Sequence, residues 1–451
     1  MGMRMSVIGT GYLGSTHAAC MAELGHEVIG VDVDPHKIEL LSRGETPFFE
    51  PGLDELVRKH IASGRLRFTT SYQEAADAAH VHFVGVGTPQ QKNSYAADMT
   101  FVRSAIENLV PLLRGDHLIF GKSTVPVGTA HTLQELSRQL IDASPTTADH
   151  TSVEIAWNPE FLREGHAVQD TIRPDRIVLG VSNPDSRAEE IAREIYAQPI
   201  ADGAPLLVTD FATSELVKVS ANAFLATKIS FINAVSEVCE ASGADITVLA
   251  DAIGLDDRIG RKFLNAGLGF GGGCLPKDIR AYMARAGELG ADQALTFLRE
   301  VDAINSRRRE KLVSMVKDAC GGSLGDARVT VLGAAFKPES DDVRDSPALA
   351  VAGALSLAGA HVSVYDPQAM VNAAKIFPTL TYADTARDAL RNADTVVVAT
   401  EWKEFRELDP NEVRECVSSP IVIDGRNCLD AAAWAQAGWT VRALGRGNLE
   451  Q

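Results

Sequence analysis

The residues best suited to covalent chemistry lie in one short segment, Gly269–Asp278, which reads Gly-Phe-Gly-Gly-Gly-Cys-Leu-Pro-Lys-Asp. Most free cysteines in proteins are buried and chemically inert. Around Cys274, however, the glycines leave space for a substrate, and Lys277 and a helix predicted to begin near Pro276 favour the thiolate. The pattern therefore favours a nucleophilic Cys274, with an inert thiol as the alternative. Inert thiols are expected in the apolar helical runs around Cys20, Cys239 and Cys320.

A nucleophilic thiol needs supporting groups, and three other segments offer them. Asn158–Gly165, which reads Asn-Pro-Glu-Phe-Leu-Arg-Glu-Gly, follows an apolar strand and carries Glu160 and Glu164. These carboxylates either serve acid–base chemistry or are solvated acids at a helix start. Lys122–Gly128 ends another strand and offers Thr124 to a water or a cofactor.

Lys218 and Asn222 are four residues apart on a predicted helix, so they share one face. Lys218 has apolar neighbours, and a lysine in such a stretch needs an anionic partner. Together the two side chains suit an oxyanion site, and a subunit-interface contact is the alternative.

A dinucleotide site is predicted at the first glycine-rich turn, Gly9-Thr-Gly-Tyr-Leu-Gly14, which follows a strand and opens a helix. Glycines in this pattern allow a tight turn, a close approach of pyrophosphate and close helix packing. Asp32 ends the second strand, where a carboxylate binds ribose hydroxyls and repels a 2′-phosphate, so NAD is favoured over NADP. Lys37 is a candidate for a further contact near that ribose, and another nucleotide is the alternative ligand.

A second strand–turn–helix–strand pattern begins at Arg328 and closes at Asp366. Its turn, Gly333–Pro338, has one glycine and cannot cradle a pyrophosphate in the same way. The repeat is therefore either structural only, or a nucleotide site that holds phosphates with side chains such as Lys337 and Arg344.

Strands alternating with helices at both ends of the chain predict an α/β fold with parallel sheets. We expect two Rossmann-like doubly wound domains joined by a central helical domain, in which residues 211–240 carry no Gly or Pro and form one long helix. The expected domains are an NAD-binding domain at 1–205, a dimerisation and catalytic domain at 206–315, and a nucleotide-binding domain at 316–451.

Composition limits the class of protein further. The chain has 451 residues, 45% of them hydrophobic, and a formal net charge of −17, which argues against nucleic acid as a partner. No apolar run is long enough to span a bilayer, so no membrane association is expected. The six cysteines form no Cys-x-x-Cys pair, so neither a metal site nor a disulfide framework is expected. A cytoplasmic protein with reduced thiols is predicted.

In this order, these motifs resemble those of the UDP-glucose/GDP-mannose dehydrogenase family along essentially the whole chain. Besides the segments above, the resemblance rests on GTPQ at 87–90, SELVKVSANAFLATKISFINAV at 214–235, DDRIG at 256–260, FLNAGLGFGGGCLPKD at 263–278, FKPESDDVRDSP at 336–347 and DGRN at 424–427.

The resemblance implies two successive hydride transfers to NAD that convert a C6 alcohol of a nucleotide sugar, foremost UDP-glucose, to a carboxylate. Cys274 would form a thiohemiacetal and then a thioester. Lys218 and Asn222 would stabilise the oxyanion. Glu160 would act as acid–base in hydrolysis, and Asp278 and Thr124 would position a water, with the activation of that water open between Glu160 and Asp278.

The resemblance also implies the binding residues and a homodimer or higher homo-oligomer built on the long helix, with Arg258 reaching a substrate across the interface. The implied NAD contacts are Gly9, Gly11, Tyr12, Leu13, Gly14, Asp32, Lys37, Thr88, Thr124, Glu164, Lys277 and Arg344. The implied substrate contacts are Glu160, Phe161, Leu162, Arg163, Glu164, Lys218, Asn222, Arg258, Phe263, Leu264, Asn265, Ala266, Gly267, Gly271 and Lys337.

Three alternatives stay open at this point. The sugar nucleotide is GDP-mannose or a UDP-N-acetylhexosamine, with the same chemistry. Alternatively, the chain is a two-electron hydroxyacid dehydrogenase, which would need neither Cys274 nor the C-terminal domain. The third alternative is an NAD-binding protein without catalytic activity.

Overall fold

The computed structural model describes residues 2–143 and 151–447. The chain divides into two compact units, which we call the N-terminal unit (Met1–Ala221 with Arg280–Leu289) and the C-terminal unit (Asn222–Ile279 with Gly290–Gln451). The division into three domains at 205 and 315 stays a prediction, and its ranges include residues 1, 144–150 and 448–451, which lie outside the described residues.

The N-terminal unit is built on one eight-stranded sheet. Its strands are β1 (Arg4–Ile8), β2 (Glu27–Val31), β3 (Leu66–Thr69), β4 (Val81–Val84), β5 (Asp116–Gly121), β6 (Ser152–Trp157), β7 (Ile177–Val181) and β8 (Leu206–Asp210). The strand order is β3-β2-β1-β4-β5-β6-β7-β8, and every neighbouring pair is parallel except β6 and β7. In β1 to β7 most apolar strand residues are buried, because helices cover both faces of a parallel sheet, whereas Leu207 and Val208 of the edge strand β8 are exposed.

The helices that follow these strands are α1 (Tyr12–Glu23), α2 (Pro35–Ser42), α3 (Leu53–Ala62), α4 (Tyr72–Ala78), α5 (Thr100–Leu109), α6 (Thr129–Asp142), α7 (Ala167–Ile172), α8 (Ala188–Ile195) and α9 (Ala197–Ala201), with a 3₁₀ turn at Val110–Leu112. Local sequence explains their starts. For example, Asp34 accepts hydrogen bonds from the backbone N–H of His36 and Lys37, and Pro35 occupies the first helical position.

The middle of the chain is helical, as predicted. Its helices are α10 (Phe211–Ser242), α11 (Ile246–Gly254), α12 (Leu275–Glu288) and α13 (Phe297–Ala319). The long helix α10 ends two residues beyond the predicted range, where Gly243 adopts a φ of 79°. A left-handed glycine after the last turn is a common way to end a helix.

The C-terminal unit contains a six-stranded parallel sheet. Its strands are β9 (Arg328–Leu332), β10 (His361–Tyr365), β11 (Thr381–Tyr382), β12 (Thr395–Val398), β13 (Ile421–Asp424) and β14 (Thr440–Ala443). Its remaining helices are α14 (Pro347–Leu357), α15 (Met370–Ile376), α16 (Ala386–Ala389), α17 (Lys403–Arg406), α18 (Pro410–Arg414) and α19 (Ala431–Gln436).

The order β11-β10-β9-β12-β13-β14 repeats the order of the first six strands of the N-terminal sheet, β3-β2-β1-β4-β5-β6. This is the Rossmann order, in which ligands bind beyond the carboxyl ends of the strands near the central strand. The predicted fold class, two Rossmann-like domains with a helical centre, is therefore confirmed. Across residues 2–143 and 151–447, no helix is both long enough and apolar enough to span a membrane.

Candidate active site and cofactor site

The turn after β1 has the geometry that a dinucleotide needs. Gly9 has a φ of 89°, and a Cβ there would lie 2.6 Å from the Val86 side chain. A Cβ on Gly14 would lie 1.7 Å from the Gly9 carbonyl oxygen, so α1 packs closely on the turn. At Gly11 a Cβ would meet no atom within 4 Å. The backbone is therefore open at the position where a pyrophosphate would approach the N-terminus of α1.

Asp32 is held at the end of β2 by a set of donors. Its Oδ2 accepts hydrogen bonds from Thr10 N at 2.9 Å and from Lys37 Nζ at 2.8 Å, and its Oδ1 accepts one from Asp34 N at 3.1 Å. Burial opposes ionisation of this carboxyl, but these hydrogen bonds and the Lys37 charge outweigh it and lower its pKa. Asp32 is thus an oriented carboxylate, and Lys37 lies directly on it, where a ribose would bind.

The segments after β4 and β5 are tied together. Thr88 Oγ1 donates to the carbonyl oxygen of Thr124 at 2.8 Å, and Ser123 Oγ donates to the carbonyl oxygen of Val86 at 2.6 Å. Glu215, a buried acid on α10, accepts from Gly128 N at 2.7 Å and from Ala130 N at 2.6 Å, and burial raises its pKa. Glu215 thus caps α6 and fixes the segment that carries Thr124.

Glu50 connects two segments of the candidate site and was not predicted from the sequence. Its buried carboxylate accepts from Gly165 N at 2.6 Å and Ala167 N at 2.7 Å, and from the Tyr12 hydroxyl. Burial and this acid raise the pKa of Tyr12. Glu50 therefore joins the glycine-rich turn to the segment that carries Glu164. In the sequence, Glu50 stands between Phe49 and Pro51, where no motif marks it.

Lys122 fixes the strand end that leads to Glu160. Its buried Nζ donates to Asn158 Oδ1 at 2.9 Å and lies 3.4 Å from the Tyr196 hydroxyl. Asn158 Nδ2 in turn donates to the Val178 carbonyl oxygen at 2.8 Å. Burial lowers the pKa of Lys122 to about 8. The ends of β5, β6 and β7 are thereby held by one polar network.

Lys218 and Glu160 form a buried ion pair. Lys218 Nζ lies 3.0 Å from Glu160 Oε1, and the two side chains are 7% and 13% exposed. The expectation that Lys218 needs an anionic partner is confirmed. The second oxygen of Glu160 accepts from Leu162 N at 2.8 Å. The carboxylate is therefore oriented at both oxygens, and the ammonium is held beside it.

Phe161 lies under two cations. The Arg176 guanidinium is 3.9 Å from its ring centroid and Lys218 Nζ is 5.6 Å away. Arg163 makes a two-pronged pair with Asp170, with contacts of 2.8 and 2.6 Å. Most of the side chains of the Asn158–Gly165 segment are therefore held by contacts within the N-terminal unit.

In the C-terminal unit, Asn222 and Asp278 meet. Asn222 Nδ2 donates to Asp278 Oδ2 at 2.7 Å, and Lys277 Nζ lies 2.7 Å from Asp278 Oδ1. Asn222 and Asp278 are both buried. An amide and a carboxylate, with an ammonium beside them, are thus brought together next to the cysteine segment.

Cys274 is exposed and directly precedes α12, whose Asp278 N donates to the Cys274 carbonyl oxygen at 2.9 Å. Two of the glycines before it, Gly271 and Gly273, fit closely against residues 344–347. A Cβ on Gly271 would lie 2.4 Å from the Asp345 carbonyl oxygen, and one on Gly273 would lie 2.2 Å from the Arg344 guanidinium carbon. The thiol is therefore accessible and lies at a helix N-terminus, as a nucleophile requires.

The segment Phe263–Gly267 is also constrained. Phe263 has a φ of 68°, which is rare for a bulky residue. Leu264 and Ala266 are buried, Asn265 Oδ1 accepts from Arg261 Nη1, and Gly267 N donates to Asn233 Oδ1 at 2.9 Å. Such a conformation persists only where neighbours enforce it.

The turn after β9 differs from the turn after β1. The buried Asp366 carboxylate accepts from Ala334 N at 2.7 Å, from Ala335 N at 2.9 Å and from Trp402 Nε1 at 3.0 Å. The donors that could cradle a phosphate are engaged within the unit. Of the predicted side chains, Lys337 Nζ lies 5.5 Å from the Phe336 ring centroid, and Arg344 pairs with Asp342 at 2.6 Å. Arg258 is 89% exposed and pairs with Asp256.

Sequence models of one dehydrogenase family match three parts of this chain. They are the NAD binding domain at residues 3–200, the central domain at 212–307 and the UDP binding domain at 330–431. The chain belongs to the UDP-glucose/GDP-mannose dehydrogenase family. NAD is accordingly the cofactor, in agreement with the Gly9–Gly14 turn and Asp32.

Members of this family align with the chain from end to end. A UDP-glucose 6-dehydrogenase of Rhizobium meliloti is 42% identical, covering 98% of this chain and 100% of its own. The UDP-glucose 6-dehydrogenase YwqF of Bacillus subtilis is 37% identical and covers 98% of each. A solved UDP-glucose dehydrogenase of Pyrobaculum islandicum superposes with a TM-score of 0.88 at 36% identity, over 99% of this chain and 98% of its own.

Proposed function

We propose that this member of the family oxidises UDP-glucose to UDP-glucuronate with two molecules of NAD. The observation that carries the proposal is the exposed Cys274 ahead of α12. An ordinary alcohol dehydrogenase takes one hydride and needs no thiol, whereas oxidation to the acid level profits from a covalent intermediate. The names of the full-length relatives support UDP-glucose as the sugar nucleotide.

The reaction can be written so that atoms and electrons balance. NAD, held by the Gly9–Gly14 turn and Asp32, would supply the acceptor for one hydride from C6 in each oxidation. The first oxidation removes a hydride and the hydroxyl proton and leaves an aldehyde. The Cys274 sulfur adds to this aldehyde, and the oxygen takes a proton to give a thiohemiacetal. Loss of a second hydride and a proton gives a thioester, which water cleaves to the carboxylate and the free thiol.

In this scheme, the residues of the Lys218–Glu160 and Asn222–Asp278 pairs have distinct roles. Lys218 and Asn222 donate to the oxygen on C6 as negative charge develops there. Glu160, oriented by Lys218 and Leu162 N, transfers protons during hydrolysis. Asp278, held by Asn222 and Lys277, positions the hydrolytic water together with Thr124.

The remaining predicted contacts divide between the two ligands. We assign the Gly9–Gly14 turn, Asp32, Lys37, Thr88, Thr124, Glu164, Lys277 and Arg344 to NAD. We assign residues 160–164, Lys218, Asn222, Arg258, residues 263–267, Gly271 and Lys337 to the nucleotide sugar. The reduced thiols support a site of action in the cytoplasm.

We further propose a homodimer or a larger homo-oligomer that uses α10. Three apolar side chains on this helix, at seven-residue intervals, are strongly exposed: Phe224 (66%), Phe231 (53%) and Val238 (65%). A seven-residue spacing places them on one stripe of the helix, and a stripe of this kind is suited to a second copy of the chain.

A substrate panel tests the proposed reaction. NAD reduction is followed with UDP-glucose, GDP-mannose and a UDP-N-acetylhexosamine as sole substrates. The proposal predicts that UDP-glucose has the highest kcat/KM and that its product carries a carboxylate by mass spectrometry. A higher kcat/KM for another nucleotide sugar would show that this sugar, and not UDP-glucose, is the preferred substrate. A product at the aldehyde level would refute the four-electron oxidation.

A further inference from the structure

Asn305, a buried residue of α13, pairs with the cysteine segment through both ends of its side-chain amide. Asn305 Oδ1 accepts from Phe270 N at 2.7 Å, and Nδ2 donates to the Phe270 carbonyl oxygen at 2.9 Å. Asn305 is 2% exposed. Reversing the amide would place like groups against each other at both contacts, so the orientation of the side chain is determined by its partners.

The residue before Phe270 must be a glycine, because the Asn305 amide leaves no space for a side chain there. Gly269 has a φ of 84°, and a Cβ there would lie 1.9 Å from Asn305 Oδ1. The Gly269 carbonyl oxygen accepts from Arg426 Nη1 at 2.9 Å. Farther along, Gly272 N donates to the Arg344 carbonyl oxygen at 2.8 Å. The segment is therefore held by hydrogen bonds at Gly269, Phe270 and Gly272, shortly before Cys274 and the start of α12.

We propose that Asn305 is a positioning residue for the Cys274 thiol, which it holds through the Phe270 peptide group. Glycines give the segment Gly269–Gly273 high conformational freedom, so the thiol can keep one position only if outside contacts supply the constraint. Asn305 supplies two hydrogen bonds to a single residue of the segment. This inference rests on the proposed function, because it assigns Asn305 to the stage of the reaction that needs the thiol.

Loss of the Asn305 contacts should slow only one of the two hydride transfers. The first hydride transfer does not involve the thiol, whereas the second follows its addition to the aldehyde. Asn305→Ala, which removes both hydrogen bonds, should slow the second transfer about 100-fold, because a displacement of about 1 Å has an effect of this size. The first transfer should keep its rate. Asn305→Asp keeps the acceptor for Phe270 N but faces the Phe270 carbonyl oxygen with an oxygen, and should produce the same defect.

Single-turnover kinetics with enzyme and NAD in excess over UDP-glucose separate the two transfers as successive phases of NADH formation. Val316→Ala is the matched control, because Val316 is buried on the same helix and packs in the C-terminal core. It should lower the melting temperature without changing the ratio of the two rates. An unchanged ratio in both Asn305 variants, or an equal change in Val316→Ala, would overturn the proposal.

A measurement without substrate keeps the inference separate from the proposed function. The rate at which iodoacetamide alkylates Cys274, followed by mass spectrometry, measures the accessibility and nucleophilicity of the thiol. Circular dichroism identifies which of the variants Asn305→Ala and Asn305→Asp is folded. In that variant Cys274 should be alkylated about tenfold more slowly, because a displaced thiol is no longer favoured as a thiolate by the N-terminus of α12. Wild-type alkylation rates in a folded variant refute the inference, even if the wild-type protein does not oxidise UDP-glucose.

Discussion

At the scale of single residues, the buried pair between Lys218 and Glu160 has the clearest functional consequence. Each residue supplies an opposite charge to the other, as an ion in a protein interior needs an opposite charge or hydrogen bonds. The pair also keeps an ammonium and a carboxylate in fixed orientation on neighbouring elements. Both roles proposed for them, oxyanion donor and proton transfer, depend on such preorganisation.

Replacing Lys218 tests this directly. Lys218→Ala should lower kcat by about 10²–10³-fold, since loss of an oxyanion donor costs roughly 3–4 kcal/mol of transition-state stabilisation. The control is Lys375→Ala, which removes an exposed lysine of α15 and should leave kcat unchanged. Steady-state kinetics with saturating NAD measure both. A Lys218→Ala enzyme with wild-type kcat would remove this residue from the mechanism.

Some residue-level features were predictable and others were not. The apolar neighbours of Lys218 indicated that it needs an anion, but they could not indicate which acid, because Glu160 is distant in sequence. Glu50, Glu215 and Asn305 carry no motif that marks them. Their function depends on backbone groups of other segments, and those contacts exist only once the sheets and helices have assembled.

At the scale of elements, three strands of the N-terminal sheet share a buried histidine chain. His82 on β4 contacts Ser6 Oγ on β1 at 2.7 Å through Nδ1 and His117 Nδ1 on β5 at 3.0 Å through Nε2. His117 Nε2 lies 2.8 Å from the Arg114 carbonyl oxygen. Burial, with His117 and His80 nearby, lowers the pKa of His82 to about 3. The folded sheet therefore holds His82 neutral.

This predicts a loss of stability in acid. Between pH values of about 6.5 and about 3, the unfolded state binds a proton at His82 that the folded state does not, so stability falls as the pH falls through this window. The contribution is at most about 1.4 kcal/mol per pH unit. His82→Gln should reduce the decrease in free energy of unfolding between pH 7 and pH 5, measured by urea denaturation. An unchanged pH dependence would contradict the assignment.

The elements themselves were predicted unevenly. The absence of Gly and Pro from 211–240 predicted α10 well, because such a run has no helix breaker. The strands β7 and β8 were not predicted, and the NAD-binding domain was expected to end at residue 205, directly before β8. Strand β8 lies at the sheet edge, where its apolar residues Leu207 and Val208 are exposed, so burial on both faces does not account for its apolar sequence.

At the scale of the whole molecule, the two ends of the sequence predicted two related sheets, and the strand orders agree with this. The division of the chain was less predictable. The boundary between the compact units falls within α10, between Ala221 and Asn222, where no Pro- or Gly-rich linker marks it. The sequence also could not reveal that Asp366 engages the turn after β9, because a lone acid at a strand end also fits a ribose contact.

Assembly gives a further prediction. Phe231→Asp places a charge in the middle of the exposed stripe Phe224, Phe231 and Val238, and should shift the protein toward the monomer in light scattering at low concentration. Phe101→Asp, which changes a similarly exposed phenylalanine on α5, is the control and should leave the mass unchanged. Equal masses for both variants and the wild type would exclude this stripe as the interface.

The most direct test of the central claim is the amount of NADH formed per molecule of limiting UDP-glucose with NAD in excess. The thioester mechanism predicts two NADH for the wild-type protein. It predicts one for Cys274→Ser, because that enzyme completes only the step that needs no thiol. One NADH from the wild type, or two from Cys274→Ser at the wild-type rate, would contradict the thioester mechanism.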